Sequence, residues 1–283
     1  MSGASTITRG ILWLAVLANA AAASLTLFVP DVLNGPPVMN GSGHGTALIM
    51  LVLGVPLLIG SLLAEDQWPR WALIARLGAL SYLAYNGFML LSATPFNSLF
   101  LVYCAALSST AFGLGLQLMH ARPAAVEERL PMPAARIVGG YILAIVVLNT
   151  LVWLRTIVPA MVADDPTSFL AGTGIATNPV FVQDLVFWLP GAAVIGWLSW
   201  TRRPYGALLA GSYLVFGLLE SIGVAVDQWL GYSADPTTPH ATIGAVYLFA
   251  VMAVIGVVAL VYYARSSRPA SAIRLSIPAT ASR

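Results

Sequence analysis

The chain has 283 residues, 59% of them hydrophobic and only 8% charged, which is too little polar surface to coat a soluble globule of this length and points to an integral membrane protein. The formal charge is +2, and all 13 basic residues are Arg scattered through short turns and a tail, so no nucleic-acid partner is expected and, without Lys, Schiff-base chemistry is excluded. A single cysteine, Cys104, excludes an internal disulfide and any cysteine-rich metal site.

In chain order, Met1 to Arg9 is a short polar lead and Gly10 to Pro30 the first apolar run. Arg9, this run and Ala18-Asn19-Ala20 together imitate a secretory signal with its cleavage site. A helix rising about 1.5 Å per residue needs roughly 20 residues to cross a hydrocarbon core of about 30 Å. Runs of that order follow from His44 to Ala64, Trp71 to Thr94, Asn97 to His120, Ile137 to Val162, Pro179 to Thr201, Tyr205 to Leu230 and Ala241 to Ala264. The expected fold is therefore an all-α polytopic transmembrane bundle of eight spans, a single membrane domain over 1–283. The stretches between the runs are too short for a soluble domain. From Arg265 to the end, Ser, Pro, Ala and Arg dominate, so 265–283 reads as a flexible cytoplasmic tail able to touch anionic lipid.

Threading eight spans puts Arg9, Arg70, Arg122, Arg129, Arg136, Arg202, Arg203 and the tail arginines on one side, with Arg76 just inside a span on that side. Cytoplasmic loops carry the arginine excess, so both termini are expected in the cytoplasm of a plasma-membrane protein. The opposite loops hold Asp31, Asp164, Asp165 and Asp235, with His44 and His240 at the helix ends. Such a rim would attract cations.

The two halves look like copies. Asn19 and Asn149, Pro30 and Pro159, Pro56 and Pro190, and Pro69 and Pro204 are 130, 129, 134 and 135 residues apart. This fits duplication of a four-helix unit, 10–120 and 137–264, and an even number of spans makes the copies parallel. Pro56 and Pro190 cannot donate to the carbonyls of Val52 and Val186, so each helix is expected to bend and free an acceptor.

Four polar residues lie deep in these spans. Counting about 1.5 Å per residue, Glu220 and Asn86 fall roughly 22 Å and Arg155 about 27 Å from the cytoplasmic end, while Asp184 enters from the other side at about 8 Å. Ionisable groups at such depth are costly and read by default as functional or paired. Tyr213, Glu220 and Asp227 recur every seven residues on one helix face, and Tyr82 pairs with Asn86, and Tyr85 with Met89, at i,i+4 on another. These stripes predict a ligand or ion pocket in the outer half lined by Glu220, Asp184, Asn86, Arg155, Tyr82, Tyr85 and Tyr213, with Arg155 as the charge partner of Asp184 or Glu220. Asp227 reads as interfacial.

Catalytic constellations are scarce, and no cofactor is implied. The three histidines form no HxxxH or HExxH pair; His44 and His240 are weak metal candidates, able to meet only at the outer surface. Glu127-Glu128-Arg129 reads as a solvated turn.

Tyr85-Asn86, the break at Pro95, Phe96-Asn97, Leu99-Phe100-Leu101 and Tyr103 together resemble a pattern in uncharacterised multi-pass bacterial membrane proteins of about this length. The resemblance implies a polytopic helical fold and brings no activity or ligand. In physical terms this segment is a tight hairpin whose Asn97 can cap the following helix.

The function expected from the sequence is binding or translocation of a small solute or cation through that outer-half pocket, with the lipid bilayer as the other partner. The alternative is a non-catalytic accessory or sensor subunit in which the same residues lock helices together. An enzyme acting on a lipid or quinone would need a catalytic set that the sequence does not display.

Overall fold

The computed structural model describes residues 3–121 and 123–267, and all regular structure among them is helical. Most of the tail lies outside the described residues, as does Arg122. Eight long helices follow one another: α1 (Gly3–Phe28), α2 (Pro37–Leu63), α3 (Pro69–Ser92), α4 (Phe100–Met119), α5 (Met132–Met161), α6 (Pro179–Trp200), α7 (Gly206–Ala234) and α8 (Ile243–Ser266). Proline opens α2, α3 and α6, where its missing N–H is no loss and its fixed φ favours the first turn. Side-chain caps serve others. Asn178 accepts from the Val180 and Phe181 amides at the start of α6 and Thr242 accepts from Ala245 at the start of α8, whereas Asn97, expected to cap α4, accepts from Leu99 in the turn before it and leaves α4 without a side-chain cap.

Seven of these helices, all but α3, are long and apolar enough to cross a membrane, as a multi-pass membrane protein requires. Helix α3 has the length, 24 residues, but not the apolarity, because it carries Arg76, Tyr82, Tyr85 and Asn86. All four are buried inside the bundle, where α3 packs between α2, α4 and α7.

Several boundaries differ from the sequence expectation, the starts of α1 and α5 at Gly3 and Met132 rather than Gly10 and Ile137 among them. Helix α2 begins at Pro37 rather than His44, and α7 runs through Gly231 to Ala234 rather than ending at Leu230. Gly231 does not stop the helix because it serves a packing purpose: a Cβ there would meet the Val38 carbonyl, 3.2 Å away, and Ala241.

Small residues set the helix contacts, as is usual where lipid offers no hydrophobic drive between helices. On α2, Gly41 and Gly45 let the backbone of α7 come so close that a Cβ on Gly45 would lie 2.6 Å from Asp227 Cα. Gly78 of α3 sits under Val215 of α7, and Gly139 of α5 under the Gly196 carbonyl of α6. Two cores result. One joins α1 to α4 with Phe216 and Leu219 of α7; the other joins Ile74 and Leu77 of α3 to α5, α6, α7 and Tyr263 of α8.

Pro56 and Pro190 are each preceded by one wide turn. Met50–Gly54 in α2 and Asp184–Trp188 in α6 are π turns, with Val55 N–H reaching back to the Met50 carbonyl and Leu189 N–H to that of Asp184. The expected bends thus take the form of an extra residue in the turn, a feature often found at functional sites.

Arginines gather at one end. Arg70 pairs with Glu128, donates to the Ser267 carbonyl at 3.2 Å and to the Tyr263 hydroxyl at 3.4 Å, and lies 4.9 Å over the Trp71 ring. Arg202 donates to the Leu130 carbonyl at 2.9 Å. At this end, therefore, the loops between helices are tied to one another and to the close of α8.

Candidate functional site

Helices α3, α6 and α7 bring acidic and amide side chains together on the far side of the bundle from the end tied by Arg70 and Arg202. Asn86 of α3 donates from Nδ2 to Glu220 Oε2 of α7 at 3.0 Å and to the Tyr82 carbonyl at 3.1 Å. Because α7 is longer than expected, Glu220 stands at its midpoint, 14 residues or about 21 Å from either end, rather than in the outer third. A carboxyl there is too short to reach a headgroup.

Asp184 lies on the first turns of α6, with 5% of its surface exposed. Its Oδ2 accepts from Trp153 Nε1 at 2.8 Å and from Asn149 Nδ2 at 3.4 Å, both on α5. The Tyr85 hydroxyl also turns toward it. The Tyr85 ring packs 5.6 Å from Trp188 and 6.0 Å from Phe216, and Tyr213 lies 5.9 Å from Phe216, so aromatic rings fill the space between the two acids. Gln183, 2% exposed, accepts from Trp188 Nε1 at 3.2 Å but has no partner for its own amide nitrogen.

Tyr82 is fully buried, and its hydroxyl has no hydrogen-bond partner. An unmade bond of this kind costs about 1–3 kcal/mol. Asp227 is half-buried against α2, with Gln228 Nε2 donating to its Oδ1 at 3.3 Å and the Ser42 hydroxyl to its backbone carbonyl at 3.5 Å.

Arg155 is the clear departure from the sequence expectation. It is exposed on α5 and forms no ion pair with Asp184 or Glu220. The reason is helical phase: on α5, Asn149 and Trp153, four residues apart, face the bundle, and Arg155, two residues further on, points away from it. That i,i+4 polar pair on an apolar helix was the readable signal for the partners of Asp184. The ion pairs of the described residues use Arg70, Arg76 and Arg129, all toward the arginine-rich end. There Arg76, 3% exposed, donates to Gln117 at 2.9 Å and to the Ser61 carbonyl at 3.0 Å, and pairs with Glu65 at 3.2 Å.

His240 Nε2 contacts the Ala171 carbonyl at 2.7 Å, and no group of three metal-binding side chains occurs among the described residues. Two of the loop acids build turns. In Asp165-Pro166-Thr167 and Asp235-Pro236-Thr237 the aspartate accepts from both the amide and the hydroxyl of the threonine, which holds each exposed carboxyl below its ordinary range.

Comparison with family models, with curated proteins and with solved structures found no match to this chain. The site's own chemistry therefore carries the reading that follows.

Proposed function

We propose that this is an eight-span plasma-membrane protein, with both termini cytoplasmic, that binds or translocates a small solute or ion, most specifically a cation, at the cluster of Glu220, Asn86 and Asp184. The observation that carries the reading is the absence of a counter-charge. Glu220 stands at mid-helix with an amide as its hydrogen-bond partner, and no basic side chain among the described residues forms an ion pair with it, with Asp184 or with Asp227. A carboxyl in a membrane interior needs neutralising, and a site that provides no arginine leaves that to a bound cation, the proton included.

Support for an eighth span comes from α3. Its polar residues face protein rather than lipid, so its low apolarity is what a central, enclosed span requires. Duplication is supported by spacing: the two π turns, the two prolines behind them, and the hydrogen-bonded pair Asn86 and Glu220 are all 134 residues apart.

The role of an accessory or sensor subunit has its own support in Asp184, whose bonds from Trp153 and Asn149 tie α5 to α6. Thermal unfolding of the purified protein in detergent, across sodium, potassium, calcium, tetramethylammonium and a pH series, separates the two. At least one cation, or acid, is expected to stabilise the wild type and to lose that effect in Glu220→Gln, which keeps the hydrogen bond to Asn86. No such stabilisation, or the same stabilisation in Glu220→Gln, would leave the structural role standing.

A further inference from the structure

The buried, unpartnered hydroxyl of Tyr82 stands in a place made for it. Its ring passes between two glycines: a Cβ on Gly54 of α2 would lie 2.9 Å from the ring, and a Cβ on Gly223 of α7 would lie 3.0 Å from the hydroxyl oxygen. Gly223 is three residues after Glu220 and four before Asp227, so the three share one face of α7 and the hydroxyl meets that face between two carboxyl side chains. One turn further along α3, Asn86 holds Glu220. Glu220 thus has two hydrogen-bonding groups on α3 within a turn of each other, one engaged and one idle.

Other polar and titratable groups lie on the helices around it. Helix α6 contributes Asp184, α3 contributes Tyr85 and Asn86 besides Tyr82, and α7 itself contributes Tyr213. From α2 come Ser42, with half-buried His44 two residues on; the only buried residues of α8 are Gly256 and, near the arginine-rich end, Tyr263. On the side away from the arginines, Gln228 links Asp227 to the exposed start of α8, donating to Asp227 at 3.3 Å and accepting from the Thr242 amide at 3.2 Å.

We propose that Asp227, Tyr82 and Glu220 form a proton-carrying line along α7, with the Tyr82 hydroxyl bridging the two carboxyl groups. This rests on the cation-site reading above and names the cation as a proton. In each transfer the Asp227 acid gives its proton to the Tyr82 oxygen while the phenol proton passes to the Glu220 carboxylate, which has turned from Asn86 toward Tyr82. One O–H bond breaks at Asp227 and one forms at Glu220; the phenol is restored and no electron moves.

The test uses the full chain in liposomes that trap a pH-sensitive dye, with a potassium diffusion potential imposed. Wild type is expected to change the trapped pH faster than protein-free liposomes do, and Tyr82→Phe to slow this by about a hundredfold, the scale on which a positioned proton donor acts. Tyr82→Phe is expected to unfold at the wild-type temperature or above, since it removes only an unpartnered group. Infrared spectra supply a second readout that needs no flux: the acid carbonyl bands lost in Glu220→Gln and in Asp227→Asn are expected to shift in Tyr82→Phe. Flux in Tyr82→Phe at the wild-type rate, unshifted bands, or a wild type no faster than empty liposomes would each overturn the line. If cation-dependent stabilisation of the wild type is still lost in Glu220→Gln, the binding site stands and only the proton line falls; if that too is absent, both fall.

Discussion

The four helices before residue 120 and the four after 131 have similar lengths and kinks but are held in different ways. In the first half α1 and α4 clasp each other through buried polar groups. Asn19 donates to Thr110 at 2.7 Å, and Thr26 and Tyr103 share a hydrogen bond at 2.8 Å, all within a core that runs from α1 to α4. In the second half α5 enters its core over its first turns only, through Ala134, Ala135, Val138 and Ile142, and α8 hardly enters one. Only Gly256 and Tyr263 of α8 are buried, and Val147, Leu148, Leu151, Val251, Val254 and Val258 stand exposed. The first half is packed protein against protein, while the second spends its apolar surface outward. The difference is sharpest between two helices: α8, the most apolar, is scarcely buried in the bundle, while α3, the one long helix not apolar enough to cross a membrane by composition, is enclosed by other helices.

The largest expected effect lies at the seam between the halves. Gly45→Val would drive side-chain atoms into the backbone at Asp227, and overpacking of this kind typically costs about 1–3 kcal/mol, more against backbone. Loss of the folded, monodisperse protein on size-exclusion in detergent is the expected result. Gly217→Ala, with nothing within 4 Å of its Cβ, is expected to behave as wild type. Equal behaviour of the two variants would remove α2 against α7 as the join.

Next in size is the clasp. Asn19→Leu is expected to lower stability by about 1–2 kcal/mol, at the upper end for a hydrogen bond between membrane helices. Leu148→Ala on α5, 64% exposed, is expected to change unfolding in detergent by less than about 0.5 kcal/mol. A larger loss at Leu148 than at Asn19 would mean that the second half has a packing partner of its own.

The smallest effect belongs to Glu128, in the loop that joins the halves. Burial holds its carboxyl above the ordinary 4.5, against the opposing pull of Arg70. The folded state therefore binds this proton more tightly than the unfolded chain does, and the contribution to stability is lost as pH rises from 4.5 through the raised range. Glu128→Gln is expected to flatten that part of the profile of melting temperature against pH. An unchanged slope would place the carboxyl in water.

Much of the helical order was legible in the sequence because turns rich in Pro, Gly and Arg separate long apolar runs. Where boundaries slipped, a residue known for ending helices had another use, as with Gly231 under α2. The acids of the site were legible as charges that no span should carry without reason, and Asn86 as a residue lining the same pocket, though not as the hydrogen-bond partner of Glu220. Arg155 misled because depth along a helix says nothing of direction around it. Trp153 escaped notice because an indole on a membrane helix usually reads as bulk, and only its nitrogen, aimed at Asp184, gives it a polar role.

Viewed as helical phase, each π turn is a one-residue insertion, and one residue is worth about 100° of rotation. In α2 the segment Pro37–Ile49 therefore presents its small-residue face to α7, while Val55–Leu63, beyond the turn, presents a different face to α3. In α6 the same offset lets Pro179–Gln183 meet α3 while Leu189–Trp200 lies against α5 and α7. A straight α-helix in either place could satisfy one neighbour and not the next. Deleting a single residue between Met50 and Gly54 would accordingly be felt at Gly45 and Asp227, more than a full turn away, where the backbones of α2 and α7 come closest to touching.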